Sequence, residues 1–72
     1  MAISYNKLWK LLIDKKMSAA ELRKAADIAS NTLTRMKRDQ EVTMQVLERI
    51  CNVLQADFGE IVEYLPNEGK NQ

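Results

Sequence analysis

An all-α, compact five-helix domain is predicted for this chain of 72 residues. Apolar residues recur at the spacing of helical turns, and no segment shows the alternation typical of a half-buried strand. The spacing is most informative in the centre of the chain, where the apolar residues are Leu22, Ala25, Ile28, Leu33 and Met36. The first two and the last two each form one apolar edge, which predicts two short helices that meet at a sharp turn.

The first predicted helix begins after Ser4, which suits an N-cap, and ends near Asp14. It carries two apolar sides. The side expected to face the central helices consists of Leu8, Leu11 and Leu12. A second seam, formed by Trp9 and Ile13, is expected to lie against the last helix of the chain.

Two serines mark the starts of the central helices. Ser18 and Glu21 form the S-x-x-E pattern of a capping box, in which each side chain binds a backbone N–H of the other residue. Ser30 is expected to cap the following helix, which would run to about Arg38. Between the two helices, Asp27 is one of the few non-glycine residue types that enters the left-handed conformation of a sharp turn at modest cost.

Two further helices are predicted in the second half of the chain. Thr43 is the expected N-cap of the fourth helix. The apolar stripe of that helix consists of Val46, Leu47, Ile50, Cys51 and Leu54. Asp57 and Glu60 repeat the capping-box pattern and predict a short fifth helix, which Pro66 ends because proline cannot continue a hydrogen-bonded turn. The apolar edge of the fifth helix is expected to consist of Phe58, Ile61, Val62 and Leu65.

The length and composition limit what the chain can be. It is long enough for one domain, predicted to span residues 1–66, with a frayed polar tail at residues 67–72. With one cysteine and no histidine, an internal disulfide or a Cys/His zinc site is excluded, so apolar packing must hold the core and neither a metal nor a cofactor is expected. Because no apolar run is long enough for a membrane helix and no secretory signal is found, we expect a cytoplasmic protein.

The sequence carries no pattern of catalytic residues. It has no P-loop, no G-x-S-x-G motif and no nucleophile with a partner base. Cys51 lies within an apolar stripe, where a thiol behaves as a small hydrophobe. We therefore do not expect an enzyme, and a domain of this size leaves no evident room for a small-molecule pocket.

Charge is distributed unevenly along the chain. The net charge of +1 combines a basic part at residues 1–38, with nine Lys and Arg against three acids, and an acidic remainder, with two bases against seven acids. A basic half that coincides with the central helices has the charge expected of a surface for DNA phosphates. The alternative is an uneven scatter of charge on an ordinary solvated surface.

The third predicted helix has one polar side. Leu33 and Met36 share the apolar side, and the opposite side carries Asn31, Thr34, Arg35 and Arg38. Asn and Arg make paired hydrogen bonds to base edges, and a helix fits the major groove, so this side is chemically suited to reading DNA. The same side would serve equally as the solvated face of an ordinary helical bundle.

Eight residues of the central region have a recognisable order and spacing: Ser18, Glu21, Leu22, Ala25, Ile28, Thr32, Leu33 and Met36. Their order resembles the helix-turn-helix of the Cro/C1-type (XRE-like) repressors of phages and bacteria, and the resemblance extends over roughly residues 4–64. The chain departs from the family pattern at four positions. The residues there are Ala19 for a phosphate-contacting Gln, Arg23 for a small Ala, Asp27 for the turn Gly and Ala29 for the helix-capping Ser.

The resemblance implies a lambda-repressor-like DNA-binding domain and a transcriptional regulator, with repression as the expected effect. Aligned with the recognition helix of the family, the base-reading positions are Ser30, Asn31 and Arg35, and Thr34 lies on the same outward side. Lys37 and Arg38 at the end of that helix are expected to meet DNA phosphates. Weaker candidates for phosphate contacts are Lys15, Lys16, Ser18 and Arg23.

Double-stranded DNA and a second copy of the chain are the expected partners. One domain of this size buries too little surface on DNA for tight specific binding, so we expect a homodimer that reads two half-sites. The candidate pairing surface consists of Trp9, Ile13, Val62, Tyr64 and Leu65, residues that could equally seal the core of one monomer. The alternative to DNA binding is an antitoxin-like or other protein-interaction module that keeps the same fold, and the departures at Ala19 and Ala29 leave this alternative open.

Overall fold

The computed structural model describes residues 2–66, so the predicted tail at residues 67–72 lies outside the described part. In chain order, the elements are β1 (Ala2–Ser4), α1 (Asn6–Asp14), α2 (Ala19–Ala25), α3 (Ser30–Lys37), α4 (Met44–Leu54), a 3-10 helix (Phe58–Glu60) and β2 (Glu63–Leu65). The fold is mostly helical, as predicted. The prediction of five helices without a strand is wrong, because the described chain has four α-helices and a small sheet.

The two paired strands lie at opposite ends of the described sequence. β1 and β2 are antiparallel, with Ile3 opposite Tyr64. Asp57 and Glu60 form the predicted capping box, but the helix that they start is a single 3-10 turn. The chain then extends, because the backbone groups of β1 offer hydrogen-bond partners to residues 63–65. Phe58 and Leu65, expected on a buried helix edge, remain 37% and 41% exposed.

Local capping signals placed two helix starts correctly. The Ser18 N–H donates to Glu21 Oε1 at 2.8 Å and the Glu21 N–H donates to Ser18 Oγ at 3.0 Å, which confirms the capping box of α2. Thr43 Oγ1 accepts from the Val46 N–H at 3.3 Å at the start of α4. Both starts depend on bonds between residues three positions apart, which sequence spacing reveals.

Two other capping predictions are wrong. Ser4 lies in β1, and Tyr5 occupies the N-cap of α1, although Ser4 Oγ still accepts from the Asn6 N–H at 3.1 Å. Ala29 occupies the N-cap of α3 without a side-chain hydrogen bond, and Ser30 is the first helical residue. The start of α3 therefore depends on tertiary packing rather than on a capping side chain.

The core contains residues from all four α-helices of the described chain, from the segments next to them, and from the chain between the 3-10 helix and β2. Its buried apolar residues are Tyr5, Leu8, Leu12, Leu22, Ala26, Ile28, Leu33, Met36, Leu47, Ile50, Leu54 and Ile61. Two details correct the predicted pattern. Ala25 is exposed and Ala26 is buried in its place, and Ile13 is 74% exposed although the last helix was expected to cover it.

No helix of the described residues is long and apolar enough to cross a membrane.

All four α-helices of the described chain are followed by a non-glycine residue in the left-handed conformation. These residues are Lys16, Asp27, Asp39 and Gln55, with φ from 54° to 58°. The conformation turns the chain so that the next N–H binds a carbonyl at the end of the helix: the Ile28 N–H donates to Arg23 O at 3.0 Å, and the Gln40 N–H donates to Arg35 O at 2.9 Å. The left-handed conformation expected of Asp27 is confirmed. The other three lack the glycine that usually signals such an ending.

A pair of substitutions at Asp27 tests whether this backbone conformation costs stability. Glycine adopts φ of 56° without a Cβ clash, whereas alanine does not. The free energy of unfolding of Asp27→Ala is therefore expected to be about 1 kcal/mol lower than that of Asp27→Gly. Urea denaturation of both variants measures the difference. The same pair of substitutions at Gln55, with φ of 54°, is a second test at the end of α4, and equal stabilities within each pair would contradict the expectation.

Candidate nucleic-acid interface

α3 presents a polar side to solvent and an apolar side to the core. Leu33 and Met36 are buried on the inner side. The four residues predicted to read bases are all exposed: Ser30, Asn31, Thr34 and Arg35. The amphipathic pattern of the sequence thus leaves this set free for contacts outside the domain.

Within this set the side chains differ in the hydrogen bonds that remain available. The Thr34 hydroxyl donates to Ser30 O at 3.0 Å, one turn earlier in the same helix. Its proton is therefore used inside the helix, and Thr34 can meet a ligand as an acceptor or through its methyl group. Asn31 and Arg35 carry the N–H donors of the set, so they have the greater capacity to recognise acceptors on a base edge.

The predicted phosphate contacts lie at the ends of the helices. Lys37 is the last residue of α3 and Arg38 is its C-cap, and both are exposed. Lys15 and Lys16 are exposed in the connection from α1 to α2, next to the exposed Ser18. The hydroxyl oxygen of Ser18 already accepts the Glu21 N–H, so Ser18 retains its hydroxyl proton as a donor for an anion.

Arg23 differs from the other basic candidates. It is half-buried, and its Nη1 donates to Ile28 O at 3.4 Å, across the turn between α2 and α3. Part of its hydrogen-bonding capacity therefore serves the turn itself. The sequence predicted a phosphate contact and gave no sign of this internal bond.

Tyr5 holds the chain where it leaves α3. Its side chain is almost fully buried, at 1% exposure, and its hydroxyl donates to Gln40 O at 2.8 Å. Its backbone N–H donates to Asp39 Oδ1 at 3.1 Å. Two hydrogen bonds thus tie the junction of β1 and α1 to the residues that follow Lys37 and Arg38. No sequence pattern around Tyr5 predicts this role, because its two partners lie more than thirty positions away in the chain.

Two groups of the described chain have raised pKa values, and neither indicates catalysis. Burial raises the pKa of the Tyr5 phenol, and the charges of Asp39 and Glu41 raise it further. Burial also raises the pKa of the Cys51 thiol, followed by the charges of Asp57 and Glu60. A thiol held in its protonated form is a poor nucleophile. Among residues 2–66, no group of three or more His, Cys, Asp or Glu could hold a metal ion.

A family profile described as a Cro/C1-type helix-turn-helix DNA-binding domain matches residues 7–67. The chain belongs to this family. The match confirms the resemblance found in the sequence and covers nearly the same residues, from α1 to the C-terminal strand. Within the matched residues, α2 and α3 are two short helices joined by a sharp turn at residues 27 and 28.

A solved relative has the same fold. The crystal structure described as transcriptional regulator VanUg, Form II, is similar with a TM-score of 0.89 and 45% sequence identity, over 92% of this chain and 88% of that chain. No curated protein matches the chain in sequence. The family match therefore identifies a helix-turn-helix DNA-binding domain, and the related structure is described as a transcriptional regulator.

The hydroxyl of Tyr5 is expected to contribute to the stability of the Cro/C1-type domain. Tyr5→Phe should lower the free energy of unfolding by about 1 kcal/mol at neutral pH, because the buried end of Tyr5 loses its bond to Gln40 O. Tyr64→Phe is the matched control, since Tyr64 is 62% exposed, and it should leave the stability unchanged. Chemical denaturation of the three proteins under one set of conditions gives the comparison.

The same variants respond differently to alkaline pH. The folded protein holds the Tyr5 proton more tightly than the unfolded chain, whose tyrosine pKa is 10.0. The stability linked to this proton is present below pH 10.0 and is lost as the pH rises through the raised pKa of the folded state. Between pH of about 9 and about 11, wild type should lose more stability than Tyr5→Phe. Identical losses in the two proteins would show that Tyr5 does not titrate differently on folding.

Proposed function

We propose that this protein is a sequence-specific transcriptional regulator that inserts α3 into the major groove of duplex DNA and acts as a repressor. The observation that carries the proposal is the exposed polar side of α3 in a Cro/C1-type domain. The related VanUg structure is described as a transcriptional regulator. Repression needs no surface beyond the DNA interface, because a protein that occupies its operator excludes other proteins from the same DNA.

The distribution of charge supports this orientation on DNA. Residues 1–38 carry nine bases against three acids and include α2 and α3. Binding through this part brings cations to the phosphates and releases condensed counterions. The acidic part of the chain, which includes α4, would then face away from the DNA.

The polar side of α3 separates into base-reading and phosphate-binding residues. Arg35 is assigned to guanine and Asn31 to adenine, because these pairs match donors to acceptors bidentately. Ser30 and Thr34 complete the base-reading set as smaller polar contacts. Lys37 and Arg38 are assigned to phosphates, with Lys15, Lys16, Ser18 and Arg23 as flanking contacts.

The two assignments are distinguished by substitutions of Arg35 and Lys37. Arg35→Ala should weaken binding to the preferred duplex by roughly 1 to 3 kcal/mol and relax selectivity at one base pair per half-site. Lys37→Ala should weaken binding to preferred and scrambled duplexes alike and reduce the salt slope by about one. Selection of bound duplexes from a random pool supplies the preferred sequence, and titrations between roughly 50 and 200 mM salt give the slopes.

Equal losses on both duplexes after Arg35→Ala would make Arg35 a phosphate contact and overturn the assignment of the reading side. An antitoxin-like or other protein-interaction module is the second candidate function. One observation favours it: Ala29 leaves α3 without a side-chain cap at the end that would enter the groove. Failure of the wild-type protein to retain any duplex from the pool at low salt would favour this second function.

We also propose that the regulator binds DNA as a homodimer. The exposed part of the candidate pairing surface consists of Ile13 at 74%, Tyr64 at 62% and Leu65 at 41% exposure. Trp9 and Val62 are half-buried and pack against the core of the monomer. They can therefore add only a rim to the pairing surface, and the three exposed residues would provide its centre.

Sedimentation of the protein with a palindromic duplex tests this assembly. Wild type is expected to form a two-to-one complex, whereas the double variant Ile13→Ser, Tyr64→Ser should lose roughly tenfold or more in affinity, because burial of its apolar side chains no longer supports pairing. Met44→Ser is the matched control, since Met44 is 59% exposed and lies outside the surface. A one-to-one complex of wild type on the palindrome would rule out the dimer.

A further inference from the structure

Arg49 does not fit the division of the chain into basic and acidic parts. It is the single base among residues 39–66, which contain six acids. It lies on α4, next to Glu48, and its side chain is exposed. The packing of α4 in the core uses Leu47, Ile50 and Leu54 and does not require a cation at position 49. The role of Arg49 must therefore come from the contact that its side chain makes on the surface.

The guanidinium of Arg49 reaches the turn between α2 and α3. Its Nη1 donates to Asp27 O at 3.0 Å, and Asp27 is the residue in the left-handed conformation with φ of 56°. The next carbonyl, Ile28 O, accepts from Arg23 Nη1 at 3.4 Å. Consecutive carbonyls of the turn are therefore held by two guanidiniums, one from α2 and one from α4.

These bonds give both carbonyls a hydrogen-bond donor. The N–H groups of Asp27 and Ile28 bind back to α2, at Lys24 O and Arg23 O. The carbonyls of Asp27 and Ile28 lie beyond the end of α2 and accept no hydrogen bond from that helix. A guanidinium is a strong charged donor with a planar, directional geometry, so it restricts the orientation of the carbonyl that it binds.

The turn sets the direction of α3. Ile28, 4% exposed, fixes the turn from the core side, and Arg49 fixes it from the surface by joining it to α4. Because α3 begins at Ser30, a change in the backbone at residues 27 and 28 tilts the helix that follows. Recognition of base edges tolerates only about 0.5 Å or 10–20° of displacement, whereas contacts of flexible lysines with phosphates tolerate more.

We propose that Arg49 is a positioning residue for base recognition: it holds Asp27 O against α4 and so fixes the orientation of α3 in the major groove. The inference rests on the proposed DNA-binding function and assigns no DNA contact to Arg49. It differs from a role in phosphate binding, in which the positive charge alone would matter. It also differs from a general contribution to folding, which would reduce the active fraction of protein on every duplex alike.

Arg49→Gln tests the proposal through the ratio of affinities for the selected duplex and a scrambled duplex, measured across a salt series. The ratio is expected to fall roughly two- to tenfold, as for loss of one well-placed hydrogen bond, and the salt slope should stay unchanged. Lys37→Gln is the matched loss of charge, and it should keep the ratio and lower the slope by about one. If Arg49→Gln does not fold, Arg49→Lys keeps a cationic donor without the planar group, and a smaller fall of the ratio is expected.

The outcomes separate this inference from the proposed function. An unchanged ratio for Arg49→Gln, or equal losses on both duplexes with a reduced salt slope, would overturn the positioning role while wild-type binding upholds the DNA-binding function. Absence of wild-type binding to every duplex would overturn the proposed function and this inference together. A fall of the ratio with an unchanged slope supports both.

Discussion

The burial of Ile28 in the turn between α2 and α3 is the contact on which the arrangement of the interface depends. Ile28 is 4% exposed and belongs to the same core as Leu22 of α2 and Met36 of α3. Full burial of one such side chain contributes about 1.5 to 3 kcal/mol, a large share of the 5 to 15 kcal/mol that stabilises a typical domain. The apolar anchor therefore fixes the position of the turn, and hydrogen bonds to its backbone then fix its conformation.

The same constraint explains why the polar side of α3 can remain exposed. With Leu33 and Met36 buried, the helix has no rotational freedom left, and Asn31 and Arg35 must face outward. The end of the helix is secured independently, through the bonds of Tyr5 to Asp39 and Gln40. A short helix with weak capping at its start is thus held at both ends by the rest of the domain, which is the rigidity that base recognition requires.

Interactions between residues close together in the sequence could be predicted, and those between distant residues could not. Capping at Ser18, Thr43 and Asp57 depends on bonds within one helical turn, and the sequence predicted each of them. The pairing of β1 with β2 joins residues some sixty positions apart, and strands of three residues carry no visible alternation. In the candidate interface, helical spacing predicted the exposed side of α3. The internal bonds of Arg23 and Arg49 could not be predicted, because a charged side chain on a helix is normally solvated.

The short sheet also determines how this domain can be joined to other polypeptides. Ala2 lies opposite Leu65, so the chain enters and leaves the described domain within roughly 5 Å of the same point. Neighbouring ends are the geometry that permits a domain to be placed inside a loop of a host protein without distorting either.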